Sequence, residues 1–335
     1  MTSSDKNNDI ETLRVLATLL LVAYHAIGVP GSGLQLDYPH PFRLMSDFLS
    51  DLRMPLFAFI SGYVYALRPV RRGTYFAFSI GKLRRLYIPG VVAALSYWCV
   101  ARFVLRDAAG DDADLLSVLS LSFLHFWFLQ AILIILLVMA AIDVASGRWA
   151  RVIFVLCAIP MFFLESTLGA PYVNLSAVAY LAPFFVFGVM VQSHQASIRQ
   201  HGKWIGAVAL LGLVVAVCLS CSHYLENGVL PNARRDLQSI IFSFSGIALL
   251  WLLLPPVPVL AGFGSMSFAV FLYHVFGTSG GRRLGHLVGL ENEYLLFALS
   301  FSGGVIVPVV IYQLVVRTTV PRMLVLGLRG KPAIA

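Results

Sequence analysis

Apolar residues run along this chain in blocks of about 20, separated by short stretches that carry most of its charge. Wound as α-helix at about 1.5 Å per residue, a block of that length spans the roughly 30 Å hydrocarbon core of a bilayer. The blocks fall at 10–29, 48–67, 85–105, 117–141, 151–168, 173–193, 203–223, 236–254, 264–285 and 293–316. The pattern predicts an all-α, polytopic integral membrane protein of about ten transmembrane helices. Gly169, Ala170 and Pro171 separate the fifth and sixth blocks. No internal repeat is visible, which weighs against an inverted-repeat transporter.

This reading divides the chain into a short N-terminal tail (1–9), a ten-helix membrane domain (10–316) and a basic C-terminal tail (317–335). An even number of spans puts both tails on one side. With that side cytoplasmic, it collects Lys6, Arg68, Arg71, Arg72, Lys82, Arg84, Arg85, Arg148, Arg151, Arg199, Lys203, Arg317, Arg322, Arg329 and Lys331. These are 15 of the 24 basic residues, against 8 outside once Arg14 is set aside. Lys/Arg bias orients membrane proteins, so both termini are expected in the cytoplasm and the protein in the plasma membrane. The first nine residues carry Asp5 and Asp9 rather than a basic n-region, so the first block is expected to remain as a span and not to be cleaved as a signal peptide.

Composition agrees. The chain is 59% hydrophobic and 12% charged, with a mean hydropathy of +0.84. A soluble domain carries about 25% charged residues. The net charge of +8 would suggest nucleic acid in a soluble protein; here the positive-inside bias accounts for it, and no nucleic-acid partner is expected. Cys99, Cys157, Cys218 and Cys221 form no disulfide framework. Cys218, Cys221 and His223 have a metal-like spacing but no second pair of ligands, so helix packing is the expected role and no metal is anticipated.

Chemistry enters with the first block. Arg14 and His25 are eleven residues apart, which at about 100° per residue returns them to nearly the same face, about 16 Å apart along the axis. An arginine in hydrocarbon costs from about 2.5 to over 10 kcal/mol, so this face should look into the protein interior. Arg14 would lie near the cytoplasmic face and His25 in the outer third. His25 suits general-base work on a hydroxyl, although a histidine hydrogen-bonded for packing is the alternative.

The second block contains Met54-Pro55-Leu56-Phe57-Ala58-Phe59-Ile60-Ser61-Gly62-Tyr63. Ser61 lacks the Gly-x-Ser-x-Gly setting of a nucleophile, so Ser61 and Gly62 read as small residues that permit close packing. Arg68, Arg71 and Arg72 follow, then Lys82-Leu83-Arg84-Arg85-Leu86-Tyr87-Ile88-Pro89. Lys82 and Arg85, with Arg84 between them, suit a phosphate clamp; positive-inside bias and anionic lipid headgroups are the other readings. His125-Phe126-Trp127-Phe128-Leu129 opens the fourth block, Glu165 lies in the fifth and His274, after Tyr273, in the ninth. An acid and three histidines at membrane depth make a candidate polar cavity, while Trp127 also suits an interfacial aromatic belt.

Taken in order, Arg-x10-His, Pro-Leu-Phe-x-Phe-Ile-Ser-Gly-Tyr, Lys-x-x-Arg-x-x-x-Pro, His-Phe-Trp-Phe-Leu and a late Tyr-His resemble the acyltransferase 3 family of integral membrane O-acyltransferases. The resemblance runs over nearly the whole chain and implies a ten-helix core. It implies transfer of an acyl group, usually acetyl, from cytoplasmic acetyl-CoA to a hydroxyl of a cell-surface or periplasmic carbohydrate, free or lipid-linked. By that likeness His25 is catalytic and Arg14 its companion. Lys82 and Arg85 match the basic motif of the acyl-CoA side, with Arg84 beside them as a further cofactor-binding candidate, and Ser61, Gly62 and Trp127 match structural or pocket positions; His125, Glu165 and His274 are added as pocket candidates. Pro55 stands where many members carry an acid, so no acid is carried over there. The chain resembles the stand-alone members, without a fused extracytoplasmic esterase-like domain, and glycan-assembly proteins would be natural partners. Direct attack by the hydroxyl and a covalent acyl intermediate both fit the residues. Two competing readings are a transporter or flippase for a glycan or lipid-linked sugar, and an assembly partner without turnover.

Overall fold

The computed structural model describes residues 3–28, 33–105, 113–163, 172–231 and 234–329, and every regular element among them is a helix. In chain order these are α1 (Ser3–Ile27), α2 (Pro41–Phe48), α3 (Ser50–Leu67), α4 (Tyr75–Lys82), α5 (Ile88–Cys99), α6 (Leu115–Leu119), α7 (Trp127–Ser146) and α8 (Ala150–Phe163). Then follow α9 (Leu175–Ser193), α10 (Gln195–Gln200), α11 (Gly202–Asn227), α12 (Leu237–Leu253), α13 (Pro258–Gly262), α14 (Ser267–Leu287), α15 (Glu293–Val316) and α16 (Thr319–Leu326).

A helix therefore stands at each predicted block. Among the described residues six stretches are long and apolar enough to cross a membrane: Asn8–Ile27, Tyr75–Val104, Leu124–Ser146, Leu175–Ser193, Gly202–Asn227 and Glu293–Val316. The protein is an integral membrane protein. Its exposed side chains say the same: Trp204, Val208, Leu211 and Val214 on α11 and Ile306 and Leu314 on α15 all stand open, as lipid-facing groups do.

Two helices differ from the predicted bounds, each for a local reason. The third begins at Tyr75, not at 85, because α4 runs through a π-helical turn, Leu83–Tyr87, straight into α5. The basic motif thus lies inside a continuous helix. The fourth block breaks instead of running on from 117. α6 stops, and the chain passes through Leu121 (φ 63°) and Leu124 (φ 43°) before α7 begins at Trp127. Gln130 on α7 secures this break. Its amide nitrogen donates to the carbonyls of Ser120 (2.6 Å) and Tyr172 (2.7 Å), and its oxygen accepts from the Asn174 amide (2.8 Å). A buried amide satisfied on both sides holds two turns that the apolar pattern alone would have left helical.

The chain forms two compact units: residues 1–60 with 190–309, and 61–189 with 310–335. In the first unit, Gly277 and Gly281 of α14 and Gly303 of α15 meet backbone to backbone, with no room for a Cβ at any of them. Small residues at four-residue spacing allow such approach in membranes, where packing and interhelical hydrogen bonds replace the hydrophobic drive. One such bond runs from the Ser300 hydroxyl to the Thr278 carbonyl, 2.9 Å. In the second unit Gly62 of α3 does the same against the Phe185 carbonyl of α9, and the Tyr65 hydroxyl donates to the Asp143 carboxylate on α7.

Candidate functional site

The candidate residues of the first unit are set by α1. Thr12, buried, accepts from the Val257 amide (3.1 Å) and fixes the helix near its start. Gly28, at φ 83°, closes the helix by donating to the Tyr24 carbonyl (2.7 Å), so His25 lies in the last turn. Arg14, nearer the start of the same helix, does not stand alone. Its Nη1 lies 2.6 and 2.7 Å from the two carboxylate oxygens of Glu11, one turn earlier, and its side chain remains 30% exposed. Gly264 packs so closely on that carboxylate that a Cβ there would strike it.

His25 is half-buried, and its ring centre lies 4.8 Å from that of His274 on α14. His274 is fully buried. Its Nδ1 stands 3.0 Å from the Val270 carbonyl and 2.9 Å from that of Phe271. Carbonyl oxygens only accept, so Nδ1 carries the proton and Nε2 of the neutral ring carries a lone pair. Val22 of α1 and Thr278 of α14 both close over Gly304 of α15, which keeps the His274 turn pressed against the end of α1.

A third polar group belongs to this cluster. The guanidinium of Arg53 on α3, a residue only 7% exposed, sits 3.6 Å from the centre of the Tyr24 ring, and Tyr24 in turn meets His25 edge-on at 4.9 Å. A cation over an aromatic face recovers part of its lost hydration. Asp51, also buried, accepts a 2.5 Å bond at its backbone carbonyl from the Ser243 hydroxyl, which ties the start of α3 to α12. The described segment between α1 and α3 is equally tied. Tyr38 and Arg43 both donate to Asp47, at 2.6 and 2.8 Å, and His40 caps α2 and lies 3.0 Å from Glu293. Burial, then the bond to Asp47, raises the Tyr38 phenol above its ordinary value.

The other candidates belong to the second unit. Lys82 closes α4 with its Nζ 5.2 Å from the Phe78 ring centre, and Arg84 and Arg85 follow in the π-helical turn. Ser61 stands beside Gly62 at the tight α3–α9 approach. His125 meets Phe126 at a tilt, ring centres 4.1 Å apart, in the one-turn 3-10 helix Leu124–Phe126, and Trp127 begins α7. At the same end Asp114 caps α6, accepting from the Ser117 amide and the Tyr172 hydroxyl, both at 2.8 Å. Those bonds, the amide's first, hold its carboxyl below the usual carboxylate range.

The fold thus brings together His25 and His274 and adds Tyr24 and Arg53, which the apolar pattern does not single out. It groups Lys82, Arg84 and Arg85 in one turn. His125 and Trp127 belong with the second unit rather than with the His25 pair, and Glu165 lies outside the described residues. Glu11 was legible: Glu11 and Arg14 have the i,i+3 spacing of a helical ion pair. Arg53 carried no such signal. Its only mark is a charge three residues into an apolar helix.

Compared with known proteins, residues 7–313 match the family model described as the acyltransferase domain of acyltransferase 3 proteins. No curated protein and no solved structure matches the chain.

Proposed function

Because the chain belongs to the acyltransferase 3 family, a family of membrane acyltransferases, we propose that it moves an acetyl group from cytoplasmic acetyl-CoA to a hydroxyl of a cell-surface or periplasmic carbohydrate. On this reading ten helices cross the inner membrane and both termini are cytoplasmic.

His25 is the general base. One ring nitrogen takes the proton of the acceptor hydroxyl as its oxygen attacks the thioester carbonyl; the C–O bond forms, the C–S bond breaks and the CoA thiolate leaves, to be protonated. General-base help of this kind is worth about 10²–10⁴ in rate. His274 is a positioning residue. With its Nδ1 proton committed to α14 carbonyls, its Nε2 is an acceptor, suited to hold the N–H of His25 and turn the basic nitrogen toward the substrate. Arg14, paired with Glu11, shapes the donor end of α1, and Lys82, Arg84 and Arg85 hold the CoA phosphates.

The observation that carries this reading is the His25–His274 pair, a half-buried histidine backed by a fully buried one whose tautomer its own helix dictates. Packing alone needs neither. The test is transfer of label from [acetyl-14C]acetyl-CoA to surface glycan in proteoliposomes. His25→Ala should lower the rate at least about 100-fold at unchanged thermal midpoint and unchanged CoA binding. Full activity in that variant would remove His25 from the chemistry, and a wild-type protein that moves sugar but no acyl carbon would be a transporter.

A further inference from the structure

The sequence pattern predicts a basic tail at the C-terminus, yet most of its described part is a docked helix. α16 packs on α5 and ends in an αL cap: the Gly327 amide donates to the Met323 carbonyl (3.0 Å), and the Leu328 amide donates to that of Arg322 (3.3 Å). Gly327 takes φ 65°, where a side chain is strained, and its α-carbon is seated directly on the Arg84 carbonyl and the Arg85 α-carbon, leaving no room for a Cβ. Two residues on stands Arg329, within electrostatic range of Arg84. All of this lies within the second unit.

The result is an accumulation of like charge. Arg84 interacts repulsively with Arg329 and Arg85, and Lys82 with Arg85. Among the described residues none of these four cations is in an ion pair. Two donors of Arg84, Nε and Nη1, are buried with no hydrogen-bond partner among the described residues. Buried guanidinium donors are ordinarily satisfied, and Nε with an Nη is the fork that grips a phosphate or carboxylate with two parallel bonds. The turn holding them is π-helical, a form that recurs at functional sites. Positive-inside bias explains basic residues near a membrane face. It explains neither the buried, unsatisfied fork nor a glycine pressed on its backbone to deliver a further arginine.

We propose that Arg329, positioned by Gly327, completes with Lys82, Arg84 and Arg85 a preformed phosphate-binding site. Resting on the donor reading above, the phosphates are those of CoA; a phospholipid headgroup offers the same chemistry, and the test separates the two.

The full-length protein is placed in phosphatidylcholine nanodiscs and titrated with CoA, and phosphatidylglycerol retained from mixed nanodiscs is counted by native mass spectrometry. The variants are Arg329→Gln, an exposed position, and Gly327→Ala, which removes no charge; thermal midpoints report folding. CoA should bind Arg329→Gln about tenfold more weakly, the value of one charge-assisted hydrogen bond, and Gly327→Ala should lose a similar factor because the tail is displaced. If the wild type binds no CoA but retains phosphatidylglycerol in an Arg329-dependent way, the phosphate site stands and the CoA donor reading falls at this clamp. If Arg329→Gln binds both CoA and phosphatidylglycerol as the wild type does, the inference is overturned while the donor reading survives.

Discussion

Four arginines of the first unit are answered individually: Arg14 by Glu11, Arg43 by Asp47, Arg199 by Asp9 and Arg53 by the Tyr24 ring. In the second unit Lys82, Arg84, Arg85 and Arg329 crowd one another with no acid in reach among the described residues. A charge matched by its own protein is structural and orients what lies beside it. A set of matched-sign charges held together by backbone packing has its counter-charge elsewhere, on whatever docks there. The contrast also separates two kinds of failure. Damage to the first unit should slow the chemical step, and damage to the second should weaken the hold on donor.

The largest effect that would sharpen this contrast is expected from Lys82→Ala combined with Arg85→Ala. If both hold donor phosphate as proposed, each substitution removes a charge-assisted hydrogen bond worth about tenfold, so together they should raise KM for acyl-CoA about 100-fold with kcat changed only a few-fold. Steady-state kinetics at saturating acceptor decides. A fall in kcat with KM constant would erase the distinction between the units.

Next in size is His274→Leu. If His274 holds the tautomer of His25, its loss should lower kcat about tenfold or more with KM for acyl-CoA unchanged, and should shift the pH profile of kcat. His274→Gln, whose amide oxygen can accept in place of Nε2, should recover part of the rate. A purely structural His274 predicts something else: both variants would unfold alike and neither pH profile would move.

How much of this was readable follows the same physics. Helix positions were legible because a bilayer imposes length on every apolar block. Bounds failed where side-chain chemistry overrode that rule: Gln130 stitches open the fourth block, and α4 carries the third one back to Tyr75. His25 and Arg14 stood out by co-facial spacing, and Lys82, Arg84 and Arg85 by charge density. Arg53 and the role of Arg329 did not, since each depends on packing between segments distant in sequence: α1 with α3, and α16 with the π-helical turn. The Gly277-x3-Gly281-x3-Gly285 pattern was present to be read as a helix-packing face, and Gly277 and Gly281 both meet the backbone of α15.

The smallest effect tests whether the uncompensated charge of the second unit is local to its basic turn. At another place in that unit, Asp114 is fully answered, by the Ser117 amide and the Tyr172 hydroxyl. Its carboxyl is held below the usual carboxylate range, so the folded form prefers the charged state. The sign follows: its contribution to the α6 cap is present above the ordinary carboxylate pKa and is lost as pH falls through that range to the lower folded value. Hydrogen exchange of the 113–119 amides, corrected for intrinsic rates, should therefore stay protected from neutral pH to about 5 and rise only at more acid pH. Asp114→Asn should exchange a few-fold faster at neutral pH and lose the acid dependence, while CoA binding stays as in the wild type. Equal protection in the variant would mean the cap contributes nothing. A change in CoA binding would mean that charge in the second unit acts as one field rather than as two separate arrangements, one answered and one open.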